Sequence, residues 1–315
     1  KMVDVTIKHT RNSVGAALNE WYAVKKHQWT KEYMAKTMRR MARHVIPVIG
    51  NTPLVDVTRA DILSVIRKIE SSGSLAESKA VYQLLKQFFE YAIATNAAYN
   101  DPTYAMKPAL ATRRKKHHKS LPFDEVPNFI SGVRAAANFD LTIRYAAELM
   151  LHTFVRVSEL TGARWDEVDF KNRVWVIPAE RMKMGRAHVV PLSREAMRIL
   201  KNLHRRNGNR EYVFATPKGS ATKHISDFSI RRLMYQVGYK GEATVHGFRS
   251  LAMTVLQEKL GYPFEVVDAQ LAHAKRHSLG EAYDRALFLD RRKLMMEDWS
   301  RLIERKCNEQ HREAV

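Results

Sequence analysis

The segment "KPALATRRKKHHKS", residues 107–120, constrains the fold more than any other stretch. It holds six basic residues, no acidic ones and almost no apolar periodicity. It therefore offers no face for a helix or strand to bury. On both sides of it the periodicity is strong. A chain of 315 residues divided in this way is expected to form two domains, 1–106 and 121–315, joined by a basic linker at 107–120. Hydrophobic residues make up 45% of the chain, enough for a core in each half.

The first half reads as helical. "WTKEYMAKTMRRMARHVIP" opens on a Thr30 cap and sets Met34, Met38, Met41 and Val45 on one stripe, with Lys31, Lys36, Arg39, Arg40 and Arg43 largely outside it. "TRADILSVIRKIE" pairs Thr58 with Asp61, close to a capping box, ahead of a stripe of Ile62, Val65, Ile66 and Ile69. "ESKAVYQLLKQFFEYAIAT" and "SVGAALNEWYAVKK" add two more helices. The sum is a small helical bundle with a basic face. The second half is mixed but mostly helical. "RVWVIP" and "RAHVVPLS" are strand-like runs flanking "AERMKMG", a hairpin-like connection with Gly185 near its end. The expected fold class is thus mainly α with a small β-sheet or hairpin in the second domain.

Charge narrows the partner. The chain carries 53 Lys+Arg against 33 Asp+Glu, a net of +20, which favours a polyanion, nucleic acid before a membrane surface or plain solubility. Before the linker stand 15 basic and 9 acidic residues, and after it 32 and 24. The excess is spread along the molecule, as an encircling clamp needs. The single Cys307 leaves no internal disulfide framework and no Cys-cluster zinc site, and points to a reducing, cytoplasmic compartment. No run of about 18 apolar residues is present for a membrane span. The first 13 residues lack the apolar stretch of a signal peptide.

The chemistry is carried by separated short motifs. "TVHGFRSLAMTVLQEKLG" puts His246 and Arg249 three apart on one helix face, where two cationic donors can grip two oxygens of one phosphate. "HTFVRVSELTGARW" places Arg156 three residues before Glu159. "LAHAKRHSLGEAYDRA" gathers His273, Arg276, His277 and Arg285 around Tyr283. Each motif alone also fits an ordinary helix pair, cap or packing residue. His204, His224, His277 and the pair at 117–118 lack metal-ligand spacing and read as surface or DNA-backbone groups.

In combination the order is specific. Arg156 in R-x-S-E-L, Lys183 eight residues before Pro191, His246-x-x-Arg249, His273 in L-A-H and Tyr283 in A-Y-D-R follow one another along the chain. This pattern resembles the tyrosine recombinases, the phage-integrase family. "RVSELTGARWDEVDF", "ERMKMGRAHVVPLS" and "QLAHAKRHSLGEAYDRA" look most like integrases of prophages and genomic islands. The resemblance is strong from about 121 to 290 and carried by helical pattern before that. Two departures stand out. Island integrases usually carry a further N-terminal domain for arm-type DNA sites; no candidate precedes residue 13, so that domain is expected to be absent or removed. "TFVR" also stands where many relatives have a glycine before the arginine.

The resemblance implies a two-domain, C-shaped DNA clamp and a strand transesterification. Arg156 and Arg249 would neutralise the non-bridging oxygens of the scissile phosphate, and Tyr283 would attack phosphorus. Lys183 would protonate the leaving 5′-oxygen, His246 would assist proton transfer at the nucleophile, and His273 would donate to a phosphate oxygen. Glu159 would orient the Arg156 region. Bond energy is kept in the phosphotyrosyl ester, so neither ATP nor a metal is required. Implied partners are double-stranded DNA at attachment sites, three further copies of the chain in a homo-tetramer on DNA, and an accessory DNA-bending protein or directionality factor, in the bacterial cytoplasm at the nucleoid. Met295, Met296, Trp299, Leu302 and Ile303 form an apolar face on the tail that follows Tyr283. The resemblance implies that this face docks on a neighbouring protomer, with docking on its own domain as the alternative. A type IB topoisomerase-like enzyme and a non-catalytic DNA-binding regulator are the other readings; the six intact positions argue against the regulator.

Overall fold

The computed structural model describes residues 12–111, 119–216, 223–273 and 288–313. They fall into two compact units, divided between Lys116 and His117.

The first unit is a helical bundle: α1 (Val14–Lys25), α2 (Lys31–His44), the short α3 (Ile46–Ile49), α4 (Arg59–Ser71) and α5 (Leu75–Ala94). Caps set their starts. Ser13 accepts from the Ala16 amide and Thr30 from the Tyr33 amide. Thr58 and Asp61 complete the capping box: each side chain accepts from the other's amide, at 3.3 and 2.9 Å. Ile62, Val65, Ile66 and Ile69 are all buried, as their spacing predicts. α5 packs against α1, α2 and α4. It does so because Val81, Leu84, Leu85, Phe88, Phe89 and Ala92 form a broad apolar face, while Lys79, Gln83, Lys86, Gln87 and Glu90 stay exposed on the other side. The α2 stripe differs from the expected one. Thr37, Met41 and Val45 are buried while Met38 is exposed. The helix is rotated by one residue, and the 34–37–41–45 spacing suits its 3.6-residue period as well as 34–38–41–45 does. Residues that follow are tied back to this unit: Glu70 accepts from the Ala111 amide, and Arg67 donates to the Ala109 carbonyl.

The second unit holds α6 (Val126–Ala135), α7 (Leu141–Thr153), α8 (Val157–Thr161), α9 (Arg194–Asn207), α10 (Asp227–Gln236), α11 (Gly247–Glu258), α12 (Phe264–Gln270) and the C-terminal helix Leu289–Glu313. A three-stranded antiparallel sheet has the order β1 (Val168–Asp169), β2 (Val174–Ile177), β3 (His188–Pro191), with Trp175 opposite Val190 and Ile177 opposite His188. The hairpin read at 173–193 is present, joined by a first strand that periodicity did not reveal. α7 lies at the centre, packed on α6, α8, α9, α10 and the C-terminal helix.

The C-terminal helix corrects one expectation. Met295, Met296, Trp299 and Ile303 are buried in the core of their own unit, not held out for a neighbour. The Trp299 indole N–H donates to the Leu151 carbonyl at 3.0 Å, and its ring meets Phe154 edge-on at 5.2 Å. A face this apolar is already satisfied in cis. Among the described residues no helix is long and apolar enough to cross a membrane.

Candidate active site

The site is assembled at the turn that follows α12. Arg156 is the N-cap residue of α8. Its backbone N–H donates to Glu159 Oε2 at 2.8 Å and its Nη1 to Glu159 Oε1 at 2.7 Å. Glu159 is 2% exposed, so it holds both ends of Arg156 in place. The remaining Nη2 donates to the Ala272 carbonyl at 3.3 Å.

Arg249 comes from α11 and is 4% exposed. Its Nη1 donates to the Phe154 carbonyl and its Nη2 to the Leu271 carbonyl, while its Nε has no hydrogen-bond partner among the described residues. Two guanidiniums thus converge on consecutive carbonyls, 271 and 272. Burial, and then the charge of Arg156, push the Arg249 pKa down to about 10. Its bonds go to carbonyls and not to a carboxylate; Glu159 and Asp268 act on it through their charge without bonding it.

The local sequence explains this convergence. Gly247 is required at the start of α11: a Cβ there would collide with the Lys119 carbonyl and Ser120 Cα, where the incoming chain crosses the helix. Ser120 seals that crossing by donating to the Gly247 carbonyl at 2.9 Å. Phe154 ends α7 in the left-handed region, φ 59° and ψ 15°, a conformation that glycine adopts most easily. That is the residue in "TFVR" two before Arg156. Its ring is fully buried against Trp299, which offsets a strain of order 1 kcal/mol. The strained turn points its carbonyl at Arg249.

The other expected residues divide. His273 Nδ1 lies 2.9 Å from Asp268 Oδ1, which orients a half-exposed ring beside the two arginines' acceptors. His246 is exposed at the N-cap of α11, and its carbonyl accepts from the Arg249 amide at 3.1 Å. Lys183 is exposed on the turn between β2 and β3, where the Gly185 amide, at φ 64°, closes on the Met182 carbonyl. It is not among the groups gathered at 270–273. Tyr283, Arg276, His277 and Arg285 lie outside the described residues. So do 112–118 of the expected linker.

Three residues of the site were missed. His188 on β3 approaches the Gln270 carbonyl at 3.1 Å, and burial, then Arg292, hold its pKa well below the ordinary histidine range. Arg292 and Gln270 are buried and bonded to each other. Arg292 sits three before Met295 and seven before Trp299 on the apolar stripe of the C-terminal helix, and that position was the available signal.

Comparison with known proteins gives the family and the fold. Residues 119–289 match the phage integrase family, and residues 14–109 match the phage integrase central domain. The integrase of Enterobacteria phage P4 is 32% identical, over 93% of this chain and 70% of that protein. The integrase of Shigella phage Sf6 is also 32% identical, over 94% and 76%. Among solved structures, a lambda integrase dimer bound to a COC′ core site is similar with a TM-score of 0.68 and 18% identity, covering 85% of this chain and all of that one. A lambda integrase tetramer bound to a Holliday junction gives 0.67 and 18%, covering 85% and 79%. The Tn1549 transposon integrase bound to circular intermediate DNA gives 0.66 and 15%, covering 84% and 92%. The chain belongs to the phage integrase family, the tyrosine site-specific recombinases.

Proposed function

We propose that Arg156, Lys183, His246, Arg249, His273 and Tyr283 together cut and rejoin DNA strands at attachment sites, integrating or excising a mobile element. The observation that carries this is the pair of convergent guanidiniums, one of them buried and bonded to carbonyls, not to a carboxylate. A phosphodiester resists attack because its own charge repels nucleophiles. Fixed positive forks at its non-bridging oxygens remove that barrier as charge builds on phosphorus.

The Tyr283 oxygen forms a bond to phosphorus, and its proton passes out with the help of His246. The bond from phosphorus to the 5′-oxygen breaks, and Lys183 supplies the proton that this oxygen takes up. His273, oriented by Asp268, donates to a phosphate oxygen. The product is a 3′-phosphotyrosyl ester and a free 5′-hydroxyl. Attack by another 5′-hydroxyl reverses the step, so the cycle needs no external energy. General acid and base help of this kind contributes about 10²–10⁴-fold.

The basic excess suits double-stranded DNA, with the units 1–106 and 121–315 each contributing contacts to it. The similar lambda integrase is found as a tetramer on a Holliday junction, and we infer a homo-tetramer here. A DNA-bending protein or directionality factor would be a further partner, and the bacterial cytoplasm, at the nucleoid, the place of action.

The test is covalent trapping. A nicked suicide duplex, recovered from a randomised library by capture on the protein, is incubated with wild type and Tyr283→Phe. Wild type should leave a denaturation-resistant adduct. Tyr283→Phe should leave none while binding the duplex nearly as well, since most affinity comes from backbone contacts elsewhere. Adducts that persist in Tyr283→Phe overturn the assignment.

A further inference from the structure

The C-terminal helix contributes a buried arginine to which the reaction above assigns no part. Arg292 is 2% exposed. Its Nε and Nη2 donate to Gln270 Oε1 at 3.0 and 2.8 Å, and its Nη2 also donates to the Val189 carbonyl at 2.5 Å. Among the described residues it touches no carboxylate, and burial alone pushes its pKa down to about 9. A methionine or leucine in line with Met295, Met296 and Trp299 would fill the space without the desolvation cost. What an apolar residue could not do is bridge two pieces of backbone.

The two pieces are informative. Leu192 N–H donates to the Arg173 carbonyl. With Trp175 opposite Val190 and Ile177 opposite His188, the alternation of an antiparallel ladder turns the Val189 carbonyl outward, to the free edge of β3. Arg292 caps that edge. Gln270 is the last residue of α12, directly before the turn whose carbonyls receive Arg249 and Arg156. Its Nε2 donates to the Thr153 carbonyl at 3.1 Å, and its own carbonyl meets His188 Nε2. One guanidinium therefore joins the strand that leaves the Lys183 turn to the turn that gathers the phosphate-binding arginines.

We propose that Arg292 is a positioning residue, which fixes the β3 hairpin, and so Lys183, against the Arg156–Arg249 turn. This rests on the assignment of Lys183 as general acid. Lys183 stands on an exposed turn with no anchor in the site among the described residues, so the register of β3 decides where its amine can reach. A displacement of about 1 Å can cost about 100-fold in rate.

The experiment compares single-turnover cleavage of two suicide duplexes of one sequence. One has the ordinary phosphodiester, the other a 5′-bridging phosphorothiolate whose thiolate leaves without a proton. Lys183→Ala, Arg292→Gln and Arg292→Lys are measured beside wild type, with thermal melting of each. The Arg292 variants should melt cooperatively and cleave the phosphodiester about 10–100-fold slower. On the phosphorothiolate they should come within about threefold of wild type, as Lys183→Ala should, because proton donation no longer matters. If Lys183→Ala is rescued and the Arg292 variants are not, the positioning role is wrong and the reaction scheme stands. If Lys183→Ala is not rescued, the general-acid assignment fails and takes this inference with it. Loss of cooperative melting in both Arg292 variants would show a purely structural arginine and overturn the proposal as well.

Discussion

Two clusters of arginine in the second unit solve opposite problems. Arg134 donates to Glu148 at 2.8 Å and lies 3.5 Å from Glu195, while Arg198 binds Glu195 through a 2.9 Å pair. The bonds to Glu148 and Glu195 raise the pKa of Arg134 and Arg198 respectively. Arg249 and Arg292 donate instead to neutral oxygens, and burial drives both downward, to about 10 and about 9. Charge paired with a carboxylate has part of its field cancelled before an anion arrives. Charge held by carbonyls and an amide oxygen keeps its field, and the protein carries the desolvation cost in its resting state. Arg249 and Arg292 thus differ from Arg134 and Arg198 in what holds them, neutral oxygens in the first pair and carboxylates in the second.

The most forceful way to break this comparison is Arg249→Gln. The amide keeps a donor for one carbonyl and removes the charge. Cleavage should fall by at least about 10²–10³-fold, the cost of losing one donor to developing negative charge. Thermal stability should be unchanged or higher, because a buried charge that no carboxylate bonds has gone. A large drop in melting temperature with cleavage intact would place Arg249 with the fold-holding group instead.

Much of this was legible in the sequence, for physical reasons that differ by residue. Thr58, Asp61 and the stripe that follows are local: cap chemistry and a 3.6-residue period need no tertiary information. Arg156, Arg249 and His273 were singled out through motif order, and the structure brings their neighbourhoods to one turn although they lie more than 100 residues apart at the extremes. Met38 was misplaced because a neighbouring threonine met the same period and polarity did not decide between them. Arg292 was passed over because a charged residue on an apolar stripe reads as a boundary of the stripe, and its acceptors, Val189 and Gln270, are distant in sequence. The left-handed backbone of Phe154 had one hint, the glycine that many relatives carry before the arginine, but its ring contact with Trp299, supplied by a helix 145 residues later, had none.

Each cluster also buries a neutral histidine, which gives the comparison a pH axis. His152 lies near Arg134 and Arg198, bonded to Ser300 at 3.0 Å, and burial pushes its pKa down to about 4. His188, beside Arg292, is shifted in the same direction. A histidine depressed on folding binds more protons in the unfolded state between pH 6.5 and 4. Its contribution is therefore complete above about pH 6.5 and is lost as pH falls toward 4. Urea melts at pH 7 and pH 5 should differ by about 2 kcal/mol from His152 alone. His152→Gln should remove that part of the slope. An unchanged slope in the variant would mean that the histidine is not kept neutral by burial.

Arg134→Ala attacks the paired cluster from its exposed side. It leaves Glu148, 2% exposed, without its guanidinium, but Arg134 is itself half exposed and water can enter. The loss should be about 1–2 kcal/mol of stability, less than for a fully buried pair. Cleavage per folded molecule should stay within about twofold of wild type, since nothing in this cluster touches the 270–273 turn. A chemical defect at full folding would join the two clusters and end the distinction between them.

The smallest effect tests the waiting charge without any DNA. If the Arg156–Arg249 turn is a preformed anion site, inorganic sulfate should stabilise the second unit by binding the folded state only. At ten times its dissociation constant the gain is about 1.4 kcal/mol, or roughly 3 °C in melting temperature for a unit of this size. Sulfate also strengthens apolar burial in any protein, so the raw shift decides nothing. The difference between wild type and Arg249→Gln does, because the general effect is common to both and the site is not. Arg134→Ala should keep the wild-type increment, having lost an arginine whose charge was already neutralised. Saturation of the increment with sulfate concentration should accompany it, whereas the general effect rises without limit over the same range. Equal increments in wild type and Arg249→Gln would mean that the guanidiniums are held closed on their carbonyls until DNA opens them. The lowered pKa of Arg249 would then report burial alone and not readiness for an anion.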